Sequence, residues 1–249
     1  MKPASPRPIA TRLYCALPLS PGALIDLPAA AARHAVTVLR LQKGDALILF
    51  NGEGGEYRAS LIAANKHEAR VRVAEFHAIE RESPLAVTLA LGISAGERMD
   101  YSLQKATELG VSAIVPLATE RSVVKLTGER ADKRLQHWQN VVIAACEQCG
   151  RNRVPAVAPV QTLYSYLARV SGGARLLMLS PDAATPLKKI PPSAALVLLV
   201  GAEGGFSPAE HEAARASGFE AVSLGPRVLR TETAPVAALA ALQTLWGDL

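Results

Sequence analysis

Residues 198–234 read LLVGAEGGFSPAEHEAARASGFEAVSLGPRVLRTETA, and the fold turns on how this stretch is parsed. The apolar run 194–200 leading into it is too short for a membrane and rich in branched aliphatics, which predicts a buried strand. Gly201, Gly204 and Gly205 follow at once. Without Cβ atoms they let the backbone turn sharply and come close to a ligand. Ser207-Pro208-Ala209-Glu210 predicts a helix start, with Ser207 as the cap, Pro208 at the first helical position and Glu210 closing a capping box. Gly218 ends that helix. Phe219 to Leu224 predicts a second strand, broken by Gly225-Pro226. Arg227, Arg230 and Glu232 then fall in a loop ahead of a last helix, about Glu232 to Trp246. Two successive strand ends that run into glycine loops are where an open α/β sheet binds ligands.

Spacing weighs against several chemistries. GAEGGF lacks the G-x-G-x-x-G of a dinucleotide fold, and no Lys-Ser or Lys-Thr follows it as in a P-loop. Ser207 stands between Phe206 and Pro208, so it reads as a cap and not as a hydrolase nucleophile. Glu203 inside the loop would repel a phosphate and tolerate a cation. Cys146 and Cys149 form a lone C-x-x-C within a predicted helix, without the second pair that structural zinc needs. The five histidines make no metal-ligand spacing, so no metal is expected.

Outward from the central stretch, the chain from Leu85 alternates strand and helix. Strands are expected at Leu85 to Ile93, Val111 to Leu117 and Leu176 to Leu179. Helices are expected at Glu97 to Leu109, Asp132 to Cys149 and Thr162 to Arg169. This rhythm argues a mostly parallel α/β sheet. The last helix is apolar on most sides, so it is expected to be buried against its own domain or a second subunit. The N-terminal third differs. A loose arm over Met1 to Pro8 precedes a strand within Ile9 to Pro18, a helix over Ala29 to Leu39, and short strands at Ala46 to Phe50, Tyr57 to Ile62 and Arg70 to Val73. Short strands with tight turns suggest a small β-barrel. The polar run from Ile79 to Pro84 marks the boundary, giving domains 1–78 and 79–249.

At 249 residues, 49% hydrophobic and 20% charged, the chain suits a soluble globular protein of one large or two small domains. No apolar run reaches the ~20 residues of a membrane helix, and no secretory signal is apparent, so no membrane partner is expected. Three cysteines cannot all pair, which favours a reducing, cytoplasmic setting. Residues 1–78 hold ten Lys/Arg against six Asp/Glu, whereas 79–249 hold seventeen against sixteen. The basic surplus therefore sits in the N-terminal third, and a polyanionic partner is a fair expectation.

The pair GAEGGFS and LGPRVLRTETA resembles the RsmE family of ribosomal RNA uridine-N3 methyltransferases, within the SPOUT superfamily. The likeness continues in ERMDYSLQKATELGVSAIVPLATERSVV (97–124) and HWQNVVIAACEQCGRNRVP (137–155), and more weakly in HAVTVLRLQKGDALILFNGEGG (34–55). It departs at Ala202, where the family commonly has proline. The resemblance implies an α/β fold: a trefoil-knotted SPOUT methyltransferase domain behind an N-terminal PUA-like RNA-binding β-barrel. It implies methylation of N3 of a uridine in 16S, small-subunit ribosomal RNA, naked or in the subunit, by a homodimer using S-adenosylmethionine. The donor would lie among three loops. Leu179 and Ser180 belong to the first, and Val200, Gly201, Glu203, Gly204 and Gly205 to the second. Leu224, Gly225, Arg227, Leu229, Arg230, Thr231, Thr233 and Ala234 make the third. Arg230 and Arg151 are the expected cations beside the ionised base, and Glu232 its proton acceptor, directly or through water. Arg7, Arg12, Arg33, Arg40, Arg121 and Arg151 are the expected RNA contacts. Two other readings stay open from the residues alone: a nucleotide-dependent α/β enzyme, against which the missing fingerprint weighs, and an RNA-binding module without catalysis.

Overall fold

The computed structural model describes residues 11–65, 68–170 and 173–249. The arm expected over Met1 to Pro8, with Arg7, lies outside the described residues. The chain divides into two units. One runs to Glu82 and includes Cys146–Val154; the other holds Ser83–Ala145 and Pro155–Leu249. The division thus falls a few residues beyond the expected cut after 78. It also returns a short downstream segment to the first unit, for an ionic reason described below.

The first unit contains β1 (Arg12–Tyr14), β2 (Leu24–Asp26), α1 (Ala29–Arg33), β3 (Ala46–Phe50), β4 (Glu56–Ala64) and β5 (Ala69–His77). Its sheet runs β1-β3-β4-β5-β2, with β1 parallel to β3 and the other pairs antiparallel. Along β5, buried Val71 and Val73 alternate with exposed Arg70 and Arg72, the period-two signature of a strand with one wet face. Register shifts between Tyr57/Ala59 and Leu61/Ala63 bend the long β4–β5 pair. Leu13 of edge strand β1 and Ile25 of edge strand β2 meet one core with Leu47, Leu49, Leu61 and Val71. The sheet therefore curls around that core as a small barrel does. The helix expected over 29–39 is only partly α-helical. After Arg33 a π-helical turn spans His34–Val38, closed by the Leu39 N–H on the His34 carbonyl at 2.9 Å. The β-branched run Val36-Thr37-Val38 is stiff and crowds a regular helix there.

The second unit follows with β6 (Ala86–Gly92), α2 (Glu97–Glu108), β7 (Ala113–Ala118) and α3 (Glu129–Cys149, whose last turn belongs to the first unit). Next come β8 (Ala156–Val157), β9 (Gln161–Thr162), α4 (Leu163–Leu167) and β10 (Arg175–Leu179). The chain closes with β11 (Ala195–Val200), α5 (Pro208–Ala216), β12 (Glu220–Val222) and α6 (Thr233–Trp246). The sheet is all parallel, ordered β12-β10-β11-β6-β7-β8, with β9 also on β7. Residues Leu196–Val200 of the central β11 are all buried, as the unbroken apolar run requires of a strand covered on both faces. Ala90, Leu117, Met178 and Leu199 pack with Leu163, Leu167, Ala214 and Phe219 from the helical side.

From β12 at the sheet edge the chain recrosses β10. The Thr231 hydroxyl donates to the Gly201 carbonyl at 3.1 Å, at the end of β11, and the chain then leaves as α6. That helix buries Pro235, Ala238, Leu239 and Leu242 and packs on α2. Its one buried polar residue, Gln243, is satisfied at both ends. It accepts from the Ser83 hydroxyl at 2.6 Å and donates to the Leu109 carbonyl at 2.9 Å.

Candidate functional site

A cavity of about 410 Å³ opens at the C-terminal ends of β10, β11 and β12. Leu179 and Ser180 line it from the first loop, and Val200, Gly201, Glu203, Gly204 and Gly205 from the second. Leu224, Gly225, Arg227, Leu229, Thr231 and Ala234 line it from the third. Arg230 and Thr233, expected with them, do not. Arg230 lines a neighbouring cleft, and Thr233 opens α6.

The second loop is held from several sides. A Cβ on Gly201 would stand 2.9 Å from the Gly205 Cα, so the two glycines let the loop fold back on itself. Gly205 itself has φ +65°, a left-handed backbone suited to glycine. Beneath the loop, a Cβ on Gly92 would stand 2.4 Å from the Ala202 nitrogen. That glycine at the end of β6 carries no motif in the sequence and was missed. Thr231 joins loop three to loop two and shares its hydroxyl with Ser94 at 3.3 Å.

Glu203 reaches the start of α2 with its carboxylate. One oxygen accepts from the Ala95 N–H at 2.9 Å and from Arg98 Nη1 at 3.1 Å. Burial alone would raise this carboxyl, but the N–H groups of Ala95 and of Glu203 itself, with Arg98, hold it below the usual range. Arg121 closes the far side by donating to the Gly204 carbonyl at 3.0 Å, and it lines the cavity. Its loop is anchored in turn by Glu210. That buried carboxylate accepts from Ser207 N–H at 2.9 Å, completing the capping box, and from Glu120 N–H at 2.8 Å.

The remaining sequence-chosen residues scatter. Arg230 is exposed, and its carbonyl accepts the N–H groups of Thr233 and Ala234 that start α6. With Glu232 it lines the cleft beside the cavity. Arg151 does not line either space. It belongs to the first unit, 4% exposed, with its guanidinium on Glu82. Arg12, expected on RNA phosphate, is turned into the first unit. It is 8% exposed and donates to Glu56 at 2.6 Å, to Asn152 Oδ1 at 2.6 Å and to the Arg151 carbonyl at 3.2 Å. Arg81 reaches the same Glu56 at 3.0 Å. A buried carboxylate has to be paired, and this network is what draws Cys146–Val154 into the first unit. Arg33 and Arg40 are exposed, and Arg7 lies outside the described residues. Cys146 is buried, and burial pushes its thiol up to about 12, so it is inert. Among the described residues no cluster of His, Cys, Asp and Glu could hold a metal, and no helix is long and apolar enough to cross a membrane.

A parallel sheet whose adjacent strand ends feed three interlocked loops, with the chain returning through them before its last helix, defines a methyltransferase of the SPOUT class. The family models agree. An RNA methyltransferase domain matches residues 81–243, and an RNA methyltransferase PUA domain matches residues 27–74. A ribosomal RNA small subunit methyltransferase E from Buchnera aphidicola is 35% identical over 96% of this chain and 97% of its own. That from Bacillus subtilis is 33% identical over 86% and 89%. Among solved structures, a Neisseria gonorrhoeae ribosomal RNA small subunit methyltransferase E bound to S-adenosylmethionine superposes with a TM-score of 0.92 at 46% identity, covering 96% of this chain and 99% of that one. A Legionella pneumophila protein, also with S-adenosylmethionine bound, gives 0.93 at 41% identity over 96% and 99%. The chain belongs to the ribosomal RNA small subunit methyltransferase E family.

Proposed function

We propose that this protein transfers a methyl group from S-adenosylmethionine to N3 of one uridine in 16S, small-subunit ribosomal RNA. The observation that carries it is the cavity between the three loops. Its size lies within the usual range for ligand sites, ~300–1,000 Å³. A Cβ on Gly205 or Gly225 would meet nothing within 4 Å, so the loops leave open space. Leu179, Leu224, Leu229 and Ala234 offer apolar surface to an adenine ring, and Asp182 offers a carboxylate to ribose hydroxyls. Two carboxylates in the lining, Asp182 and Glu203, stand against two guanidiniums, Arg121 and Arg227, a balance that suits a donor carrying a sulfonium, an ammonium and a carboxylate better than a phosphate chain. Family members solved with this donor bound support the fit.

The donor supplies an electrophilic methyl carbon; the protein has to make the base a nucleophile. N3 of uridine carries a proton, and its loss spreads negative charge onto O2 and O4. Arg230, exposed at the turn into α6, faces those oxygens and stabilises the charge as it develops. Glu232, two residues on, takes the proton directly or through water. The first unit supplies RNA affinity, with Arg33 and Arg40 as exposed contacts. Assembly as a homodimer completes the site, an assignment supported by the strongly apolar α6. Mass mapping of ribosomal RNA from a strain lacking the protein tests the assignment. A missing N3-methyluridine, restored by this chain and not by its Arg230→Ala variant, is the expected result; an unchanged methylation map would refute it.

A further inference from the structure

Beside the donor cavity lies a second cleft of about 320 Å³. Both are lined by Glu203, Val228, Leu229 and Thr231, so an occupant of the cleft touches the wall that the donor touches. The rest of the cleft is Arg98, Arg230 and Glu232. Arg98 comes from the first turn of α2, outside the three loops, and nothing in its sequence context singled it out. Its Nη1 is tethered to Glu203 at 3.1 Å, yet the side chain remains 48% exposed. A guanidinium has five N–H donors, so this single bond leaves others for a ligand. Val228, 81% exposed, gives the cleft an apolar face on which a flat ring can lie.

We infer that this cleft receives the pyrimidine base to be methylated, and that Arg98 is a further catalytic residue that donates to an oxygen of the ionised base. This rests on the methyl transfer proposed above. N3 gives its proton to Glu232, its lone pair forms the new N–C bond, and the electron pair of the broken S–C bond stays on sulfur. With Glu232 protonated, two arginines against the one remaining carboxylate leave the cleft with net positive charge, opposite in sign to the base anion. The Glu203 tether places Arg98 without neutralising both its edges, and it couples the base site to the glycine loop that holds the donor.

The test is single-turnover methylation of small-subunit ribosomal RNA by the full chain, at saturating donor and RNA, between about pH 6 and 10. Wild type, Arg98→Ala and Arg98→Lys are compared, alongside calorimetric titration with S-adenosylmethionine. Arg98→Ala should slow transfer by about thirtyfold or more. It should also move the rising limb of rate against pH to higher pH by about one unit, because the base anion loses a stabilising charge. Donor affinity should stay within about threefold. Lysine keeps the charge without the fork, so it should recover part of the rate. A rate within twofold of wild type with an unmoved limb overturns the inference, as does a loss accounted for entirely by weaker donor binding. If the alanine variant does not fold, a lysine variant with wild-type rate and limb overturns it equally. A wild-type chain that binds donor but transfers nothing would instead sink the methyl-transfer assignment itself.

Discussion

At Arg230 the backbone and the side chain have separate tasks. The carbonyl starts α6, while the guanidinium is exposed to the cleft beside the cavity. Arg230→Ala should therefore spare the fold. It should lower single-turnover methylation by about a hundredfold, the scale of a lost transition-state donor, with little change in donor affinity by calorimetry. Arg12 answers differently. Its sequence position invited a phosphate contact, but its pair with Glu56 is buried, with side chains 6% and 7% exposed. Arg12→Ala should cost about 3–5 kcal/mol in denaturant unfolding, because it leaves a buried carboxylate short of a partner. The exposed Arg40, by contrast, should reduce the salt slope of RNA binding by about one when replaced by alanine. Burial would raise the Glu56 carboxyl, but Arg12 and Arg81 hold it below the usual carboxylate range. Its contribution to stability is therefore full above the unfolded value near 4.5 and is lost as pH falls through the lower folded value. Glu56→Gln should flatten that part of the acid unfolding curve. Burial is what made these residues hard to read. Arginine on a short strand looks the same in sequence whether its partner is a phosphate in solution or a carboxylate far along the chain.

The elements were more legible than the contacts between them. The apolar run before Gly201 and the Ser207–Glu210 capping box stand as expected, because each is set by a local pattern of a few residues, while the strand expected over Phe219 to Leu224 is regular only at Glu220–Val222. The two-residue strands β8 and β9 have no pattern long enough to detect, and β2 is only three residues long. The loop glycines were visible, but their reasons were not. Gly204 lines the cavity as expected of a ligand loop, and its added Cβ would also stand 2.9 Å from the Arg121 Cβ. Gly204→Val should thus act by displacing Arg121. Gly201→Ala forces backbone against backbone, so it should weaken donor binding at least tenfold while α5 and β11 persist by circular dichroism. Glu210 ties the capping box to the Arg121 loop through two backbone N–H groups. Glu210→Ala should cost about 1–3 kcal/mol for each buried donor left unpaired, and donor affinity should fall with it. Wild-type affinity in a folded Glu210→Ala variant would show that the Arg121 loop does not shape the site.

Over the whole molecule, composition set the two units apart better than it located individual contacts. The basic surplus of residues 1–78 falls in the unit that matches the PUA domain family, while the methyltransferase match covers residues 81–243. What sequence order could not show is the return of Cys146–Val154 to the first unit, since no pattern along the chain announces an ion network closed over more than a hundred residues. The recrossing of the chain at Thr231 was likewise accessible only through the family likeness, because strand and helix rhythm is the same with or without it. The reaction proposed, methyl transfer to N3 of one uridine, is tested by incubating the full chain with isotope-labelled S-adenosylmethionine and small-subunit ribosomal RNA, then identifying the labelled nucleoside by digestion and mass spectrometry. The expected product is N3-methyluridine at one position, absent with Arg230→Ala. Label on a ribose hydroxyl or on another base, or none in a chain that binds the donor, would contradict it.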